Sequence, residues 1–383
     1  MDYYMKIQLA AKSIIPSVYK IPGGHNIFEL MLQGIVVQNE DKAPAVVEEL
    51  IFSLYRGNDL YEQRILGGKN LRQSIKNRSE NIKKGLINFP QALNIAFSKN
   101  IPSHIKVSNN CSLKSGESIF AGIFVSLLDY VPNKIAVTVI FNQTNKTCRV
   151  ERSFLLREYK CKNKYILPLK GAVACLCGPA EGLSHHRSLT SQEFAFDFVP
   201  LSDDFKMLFK SGSSKNKNFH AFNKKVIAPA AGTIVFARDG IVENDQFGVC
   251  PPTTREKIAK HGFLHAISGN IVIIDHGRNE YSFMAHLSNG SVRVVEGQKV
   301  AQGHVVGLLG NTGNSTAPHL HYHLMDGPDF LTARSLPIQF SNIIISPWIE
   351  EFNRLTRQLK KVHASDVMEY DLNGLVDPIV MAY

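Results

Sequence analysis

Alternation of apolar and polar positions, not helical spacing, dominates the first part of the chain. At 46–55 β-branched and aromatic residues cluster, and Arg56-Gly57-Asn58-Asp59 supplies a turn before the next run. The runs 117–128 and 134–142 predict two further strands joined through Pro132-Asn133. Residues 72–86 break the pattern: they are polar with spaced Ile and Leu, and predict a helical insert or a mobile basic loop. Mostly short strands at this spacing predict a β-sandwich-like domain over 1–165, of which an Ig-like sandwich is one form. No candidate chemistry falls inside it, so it reads as a packing or recognition domain. Residues 166–182 read as a small-residue connector. Strand-like runs resume at 232–236, 270–274 and 281–287, with turns at Gly297, Gly303, Gly307, Gly310 and Gly313. A second β domain is therefore expected over 166–345, with an exposed basic loop at 206–225. In the remainder, 346–383, the spacing of Ile349, Phe352, Leu355 and Leu359 predicts one short amphipathic helix followed by irregular tail.

Composition narrows the class without naming the activity. The chain has 383 residues, which is ordinarily two domains or three. With 44% hydrophobic and 20% charged residues, disordered, collagen-like and coiled-coil architectures are excluded. No uncharged apolar run is long enough for a membrane-spanning helix. A formal charge of +10 suits a polyanionic neighbour without choosing one. Nucleic acid is not expected, because 206–225 offers Lys and Ser with few interleaved aromatics. The six cysteines are too sparse for a disulfide framework, and Cys175 and Cys177 have no second thiol pair to complete a zinc ribbon. Asp2 and Lys12 bracket the short apolar stretch near the start, so no clear signal peptide is expected there.

Histidine placement changes the picture. Eleven of the 14 histidines lie between His185 and His323. His319, His321 and His323 alternate with Leu320, Tyr322 and Leu324, and on a strand such positions share one face. Same-face neighbours sit about 6.6–6.8 Å apart along a strand, so one tetrahedral ion can touch an adjacent pair but hardly both outer rings. At most one or two of the three are ligands, and another is left for acid–base work. Upstream, His185 and His186 precede Asp197, a lone carboxylate among Phe194, Ala195, Phe196 and Phe198, where burial demands a partner. His286 sits on the apolar run 281–287, where a satisfied core histidine is the plainer alternative.

Together these pieces resemble the lysostaphin- and LytM-type zinc metallopeptidases, peptidase family M23, from His186 to about Pro337. The likeness includes the connecting stretches 228–233, 294–300 and 307–321, the last being glycine punctuation that runs into His319-Leu320-His321. The resemblance implies an antiparallel-β metallopeptidase domain at 166–345. It implies one Zn2+ per chain held by His186, Asp197 and His321, with His286 and His319 as catalytic histidines acting on a zinc-activated water. It also implies a peptidoglycan stem or cross-bridge peptide as substrate, and a cell-envelope or secreted protein. Two departures stand out. Ten residues separate His186 from Asp197, more than in many members, so His185 competes as first ligand. His323 stands where an acidic residue is usual, and its role is open. The main rival is a catalytically silent zinc-binding module for protein or glycan recognition. A biotinyl- or lipoyl-like carrier is disfavoured, since no Met-Lys pair lies between 228–232 and 296–300.

Overall fold

The computed structural model describes residues 5–11, 13–20, 26–83, 98, 100–101, 105–179, 185–202, 209–210, 215–245, 247–345, 352–353, 358–359, 368–371 and 379–382. The chain is mainly β, with several antiparallel sheets. It divides into two compact units: Met1–Tyr159 with Ser188–Thr190, and Lys160–Arg187 with Ser191–Tyr383. The join falls a little upstream of 165 for a physical reason. The backbone N–H groups of Lys162 and Asn163 donate to the Glu280 carboxylate at 2.7 and 3.1 Å, and the buried Tyr165 hydroxyl donates to it at 2.8 Å.

In the first unit, β1 (Met5–Leu9), β2 (Ser17–Lys20), β3 (Asn26–Asn39) and β4 (Ala45–Arg56) come first. They are followed by β5 (Asp59–Gly67), α1 (Gly68–Lys83), β6 (Lys106–Val107) and β7 (Ser112–Leu113). β8 (Glu117–Leu128), β9 (Lys134–Gln143) and β10 (Lys146–Leu155) complete it. They form two sheets, ordered β1-β3-β8-β6 with β2 on β3, and β10-β9-β4-β5 with β7 on β4. Leu30, Leu32, Ile35, Leu50, Leu54, Val137, Val139 and Phe141, drawn from both sheets, share one core. The main strands are long rather than short: β3 has 14 residues and β4 and β8 have 12 each. The turn at 56–59 forms with Gly57 at φ 65°, and β9 turns into β10 through Thr144 and Asn145, both at positive φ. The break in alternation is helical. Leu71 and Ile75 of α1 are buried one turn apart against that core, and 84–86 lie outside the described residues.

In the second unit, β11 (Gly171–Cys177), β12 (Phe196–Pro200), β13 (Lys225–Ile227) and β14 (Gly232–Arg238) precede α2 (Arg255–His261) and α3 (Phe263–Ser268). β15 (Asn270–Asp275), β16 (Tyr281–Leu287), β17 (Lys299–Val300) and β18 (Val305–Leu308) follow. β19 (Leu320–Met325), β20 (Ser335–Leu336) and β21 (Gln339–Ile345) come next. The tail adds β22 (Phe352–Asn353), β23 (Gln358–Leu359), β24 (Met368–Asp371) and β25 (Ile379–Ala382). The large sheet runs β17-β14-β15-β16-β19-β12-β11-β25-β21-β24, with β20 beside β19.

Two sequence expectations are corrected here. The stretch read as a connector contains β11, which pairs with β12, the strand carrying Asp197. The small residues of β11 are buried in the sheet. The expected helix after 346 is absent from the described part. Phe352–Asn353 pairs with Gln358–Leu359 as strands, a local pairing that overrides the weak helical spacing there, and β24 and β25 extend the large sheet beside β21 and β11. The other residues of that predicted helix, and most of 203–214 in the expected basic loop, lie outside the described residues. No helix among the described residues is long and apolar enough to cross a membrane.

Candidate metal centre

Strand register assembles the site. β12 runs antiparallel to β19, setting Asp197 opposite His321, with Phe196 and Phe198 opposite Tyr322 and Leu320 on the other face. β16 flanks β19 on its other side and sets Ala285 opposite His321 and Phe283 opposite His323. His186 comes from the 3-10 turn His185–Ser188. All five candidate residues converge in the second unit. Asp197 Oδ1 lies 3.2 Å from His186 Nε2, 3.1 Å from His321 Nδ1 and 3.5 Å from His319 Nε2. The His286 ring centroid is 4.7 Å from that of His319 and 5.9 Å from that of His321.

His286 is held by an irregularity. Asn270 pairs with Leu287 and Val272 with Met284, so β16 carries an extra residue there, and His286 sits at φ 61°. This is the left-handed region that non-glycine residues enter at a cost. Its Nδ1–H donates to the Thr312 carbonyl at 2.7 Å. His319 Nδ1–H donates to the Ala317 carbonyl at 2.8 Å, with Ser315 Oγ 3.1 Å away. A carbonyl only accepts, so both neutral rings keep the proton on Nδ1 and bear a lone pair on Nε2.

Thr312, Ser315 and Ala317 belong to one loop, which is seated by close backbone approach. Gly313 has φ 72°, and a Cβ there would meet Gly269 N at 2.4 Å. Gly313→Ala is therefore expected to lower kcat by displacing the Thr312 and Ala317 carbonyls, while metal content stays at the wild-type level. Steady-state kinetics beside metal analysis checks this, and unchanged kcat would refute the loop's positioning role.

Electrostatics prepare the cluster for a cation. Burial disfavours the Asp197 carboxylate, yet the His186 and His319 imidazoles outweigh it and hold its pKa well below the usual carboxylate range. Burial pushes His321 down to about 4, and pushes His286 and His323 well below the ordinary imidazole value. For His319 burial is opposed and overcome by Asp197, which raises its pKa. Near neutral pH the cluster thus offers neutral His321 beside an ionised carboxylate, the protonation state a metal requires.

The same shifts fix the acid response of metal-free protein. Unfolded histidines titrate near about 6.5, above the folded values of His321, His286 and His323, so the unfolded state binds more protons and stability falls as pH drops from about 6.5 toward 4. Asp197 extends the loss at lower pH, whereas His319 pulls the other way. Melting temperatures in chelator across that range are expected to fall with pH, and a flat profile would contradict the burial of these rings.

The donor set fits a zinc-type ion. Ligands held at about 2.0–2.1 Å in a tetrahedron lie about 3.3–3.4 Å apart. The 3.2 and 3.1 Å separations around Asp197 Oδ1 are close to that edge. The donor atoms of His186, Asp197 and His321 all lie within 4.8 Å of one another. A second grouping, Cys177, His185 and His186, shares His186, whose Nδ1 is 3.6 Å from Cys177 Sγ. A neutral imidazole has one free lone pair, so His186 serves one grouping or the other unless it loses both protons. His185 is 4.0 Å from Asp197 Oδ2 with its side chain 74% exposed, which favours His186 as the donor beside Asp197. In the sequence Cys177 is set aside for want of a second thiol pair, and the loop carbonyls escape notice because they act through backbone atoms that residue identity does not encode.

Comparison with known proteins gives the family likeness of part of this unit. Residues 252–331 match the sequence model of peptidase family M23. The chain is 48% identical over 145 residues to peptidoglycan DD-endopeptidase ShyA of Vibrio cholerae serotype O1, covering 38% of this chain and 30% of that one. It is 31% identical over 99 residues to peptidoglycan DD-endopeptidase ShyC of the same organism, covering 26% and 18%. The match thus spans under a third of either relative's length. Among solved structures, the lysostaphin catalytic domain from Staphylococcus simulans is similar over 33% of this chain and 84% of its own, at 21% identity and TM-score 0.22. A zinc-containing peptidase from Vibrio cholerae covers 82% of this chain and 85% of its own, at 11% identity and TM-score 0.25. Residues 252–331, the stretch that contains His286, His319 and His321, are thus similar to peptidase family M23.

Proposed function

We propose that this chain is a zinc-dependent endopeptidase that hydrolyses peptide bonds in peptidoglycan stems or cross-bridges, acting in the cell envelope or outside the cell. The observation that carries the reading is the trio His186, Asp197 and His321, spaced like one coordination shell, with His286 and His319 beside it. The substrate class is that of the two Vibrio cholerae relatives, both named peptidoglycan DD-endopeptidases. The division of labour we infer places the chemistry in the second unit and leaves the first for recognition or packing.

His186, Asp197 and His321 would hold the zinc, which would supply Lewis acidity when bound. The chain's own residues supply the proton traffic. His319 Nε2 faces the cage, so its lone pair receives a proton from attacking water and its imidazolium returns one to the departing amine. His286, fixed through Thr312, presents its Nε2 as the second station for the proton or as a donor to the developing oxyanion. Asp197 stays ionised throughout and holds both flanking imidazoles in place.

The test is digestion of purified peptidoglycan, with products identified by mass. New amine ends that vanish with chelator are expected. Zinc bound with no new amine ends would instead identify a recognition module. Absence of zinc, with a melting temperature indifferent to chelation, would remove the metal site altogether.

A further inference from the structure

His323 is buried without contributing to the trio, and its surroundings assign it a task. It lies on β19 two residues beyond His321, is fully excluded from solvent, and stacks on Phe283 with centroids 4.6 Å apart and planes 21° apart. Its Nδ1 is 3.0 Å from His321 Nε2. Its Nε2 has no hydrogen-bond partner among the described residues.

The proton inventory then has few solutions. His321 turns Nδ1 to Asp197 and Nε2 to His323. A neutral imidazole holds one proton. For Nδ1 to give its lone pair to a cation, that proton must sit on Nε2, and the group facing it is His323 Nδ1. His323 must then accept, carrying its own proton on Nε2. With no cation bound the opposite chain is equally complete: His323 Nδ1–H donates to His321 Nε2, and His321 Nδ1–H donates to Asp197 Oδ1.

We infer that His323 is a positioning residue that sets the tautomer of His321, and thereby how tightly the site holds zinc. This rests on the reading of His321 as a ligand. Second-layer partners that fix a metal-bound imidazole commonly change affinity by about 10–100-fold when removed. The neighbouring rings explain why the site is specific to this contact. Phe283 and Phe330 wall His323 in, so nothing else described there is placed to accept the His321 proton.

The experiment uses the full chain and zinc alone, with affinity read by competition against a chromogenic chelator. His323→Phe keeps the ring and its stacking but removes the acceptor, and is expected to weaken zinc by about 10–100-fold. His323→Gln restores an acceptor oxygen and is expected to bind within a few-fold of wild type. Equal affinity in His323→Phe and wild type overturns the inference, as does a Gln variant as weak as the Phe variant. Should the Phe variant fail to fold, 15N spectra of zinc-loaded wild type decide: His321 protonated at Nε2 with His323 Nδ1 unprotonated is expected, and the reverse overturns it. If wild type binds no zinc, or His321→Ala binds it normally, the ligand reading fails instead, so the two failures are distinguishable.

Discussion

His321→Ala is expected to remove both zinc and hydrolysis. The substitution deletes one of the three proposed donors and leaves the buried Asp197 carboxylate with fewer imidazole partners. Its effect is measured as zinc retained per chain after equilibration with chelator, beside amine release from peptidoglycan. Wild type is expected to keep close to one zinc, and the variant none. Zinc should also raise the melting temperature of wild type alone, since only a folded site that binds the ion is stabilised by it. Retention of zinc by the variant would move the ligand role elsewhere, with the Cys177 and His185 grouping the first place to look.

The second large effect separates chemistry from binding. His319→Ala is expected to lower kcat by about 10²–10⁴-fold, the usual contribution of a positioned general acid–base, with zinc content unchanged. KM should move little, because the lost interaction belongs to the transition state. The outcome is informative because His319 Nε2 lies only slightly farther from Asp197 Oδ1 than the two proposed donors, 3.5 Å against 3.2 and 3.1 Å. Loss of zinc in this variant would make His319 a ligand and overturn its assignment as base.

Much of this site was legible in sequence because its chemistry is costly to misplace. Three histidines in alternation and a carboxylate amid phenylalanines have few stable explanations other than one another. The roles of Thr312 and Ala317 were hidden, because their carbonyls act and any residue supplies a carbonyl. The irregularity that turns His286 into the site was hidden too, since an extra residue in β16 is defined only against β15. In the fold, local runs announced β4, β8 and β9 of the first unit, while β11, β24 and β25 depend on partners far along the chain. β11 is mostly Gly, Ala and Cys, with Val173 its one β-branched residue, and its place comes from lying between β12 and β25.

The pairing of β12 with β19 also sets when the site comes into being. Asp197 and His321 are 124 residues apart in sequence. A contact so distant closes a large loop of unordered chain and is slow to form compared with any hairpin. Until that closure forms, Asp197 has only His185 and His186 near it in sequence, and His286, His319 and His321 are far along the chain. A cation captured across that closure acts as a late cross-link, tightening the folded state against reopening. Resistance to proteolysis should therefore rise on metal loading most sharply between the two strands, in the long stretch that their pairing encloses.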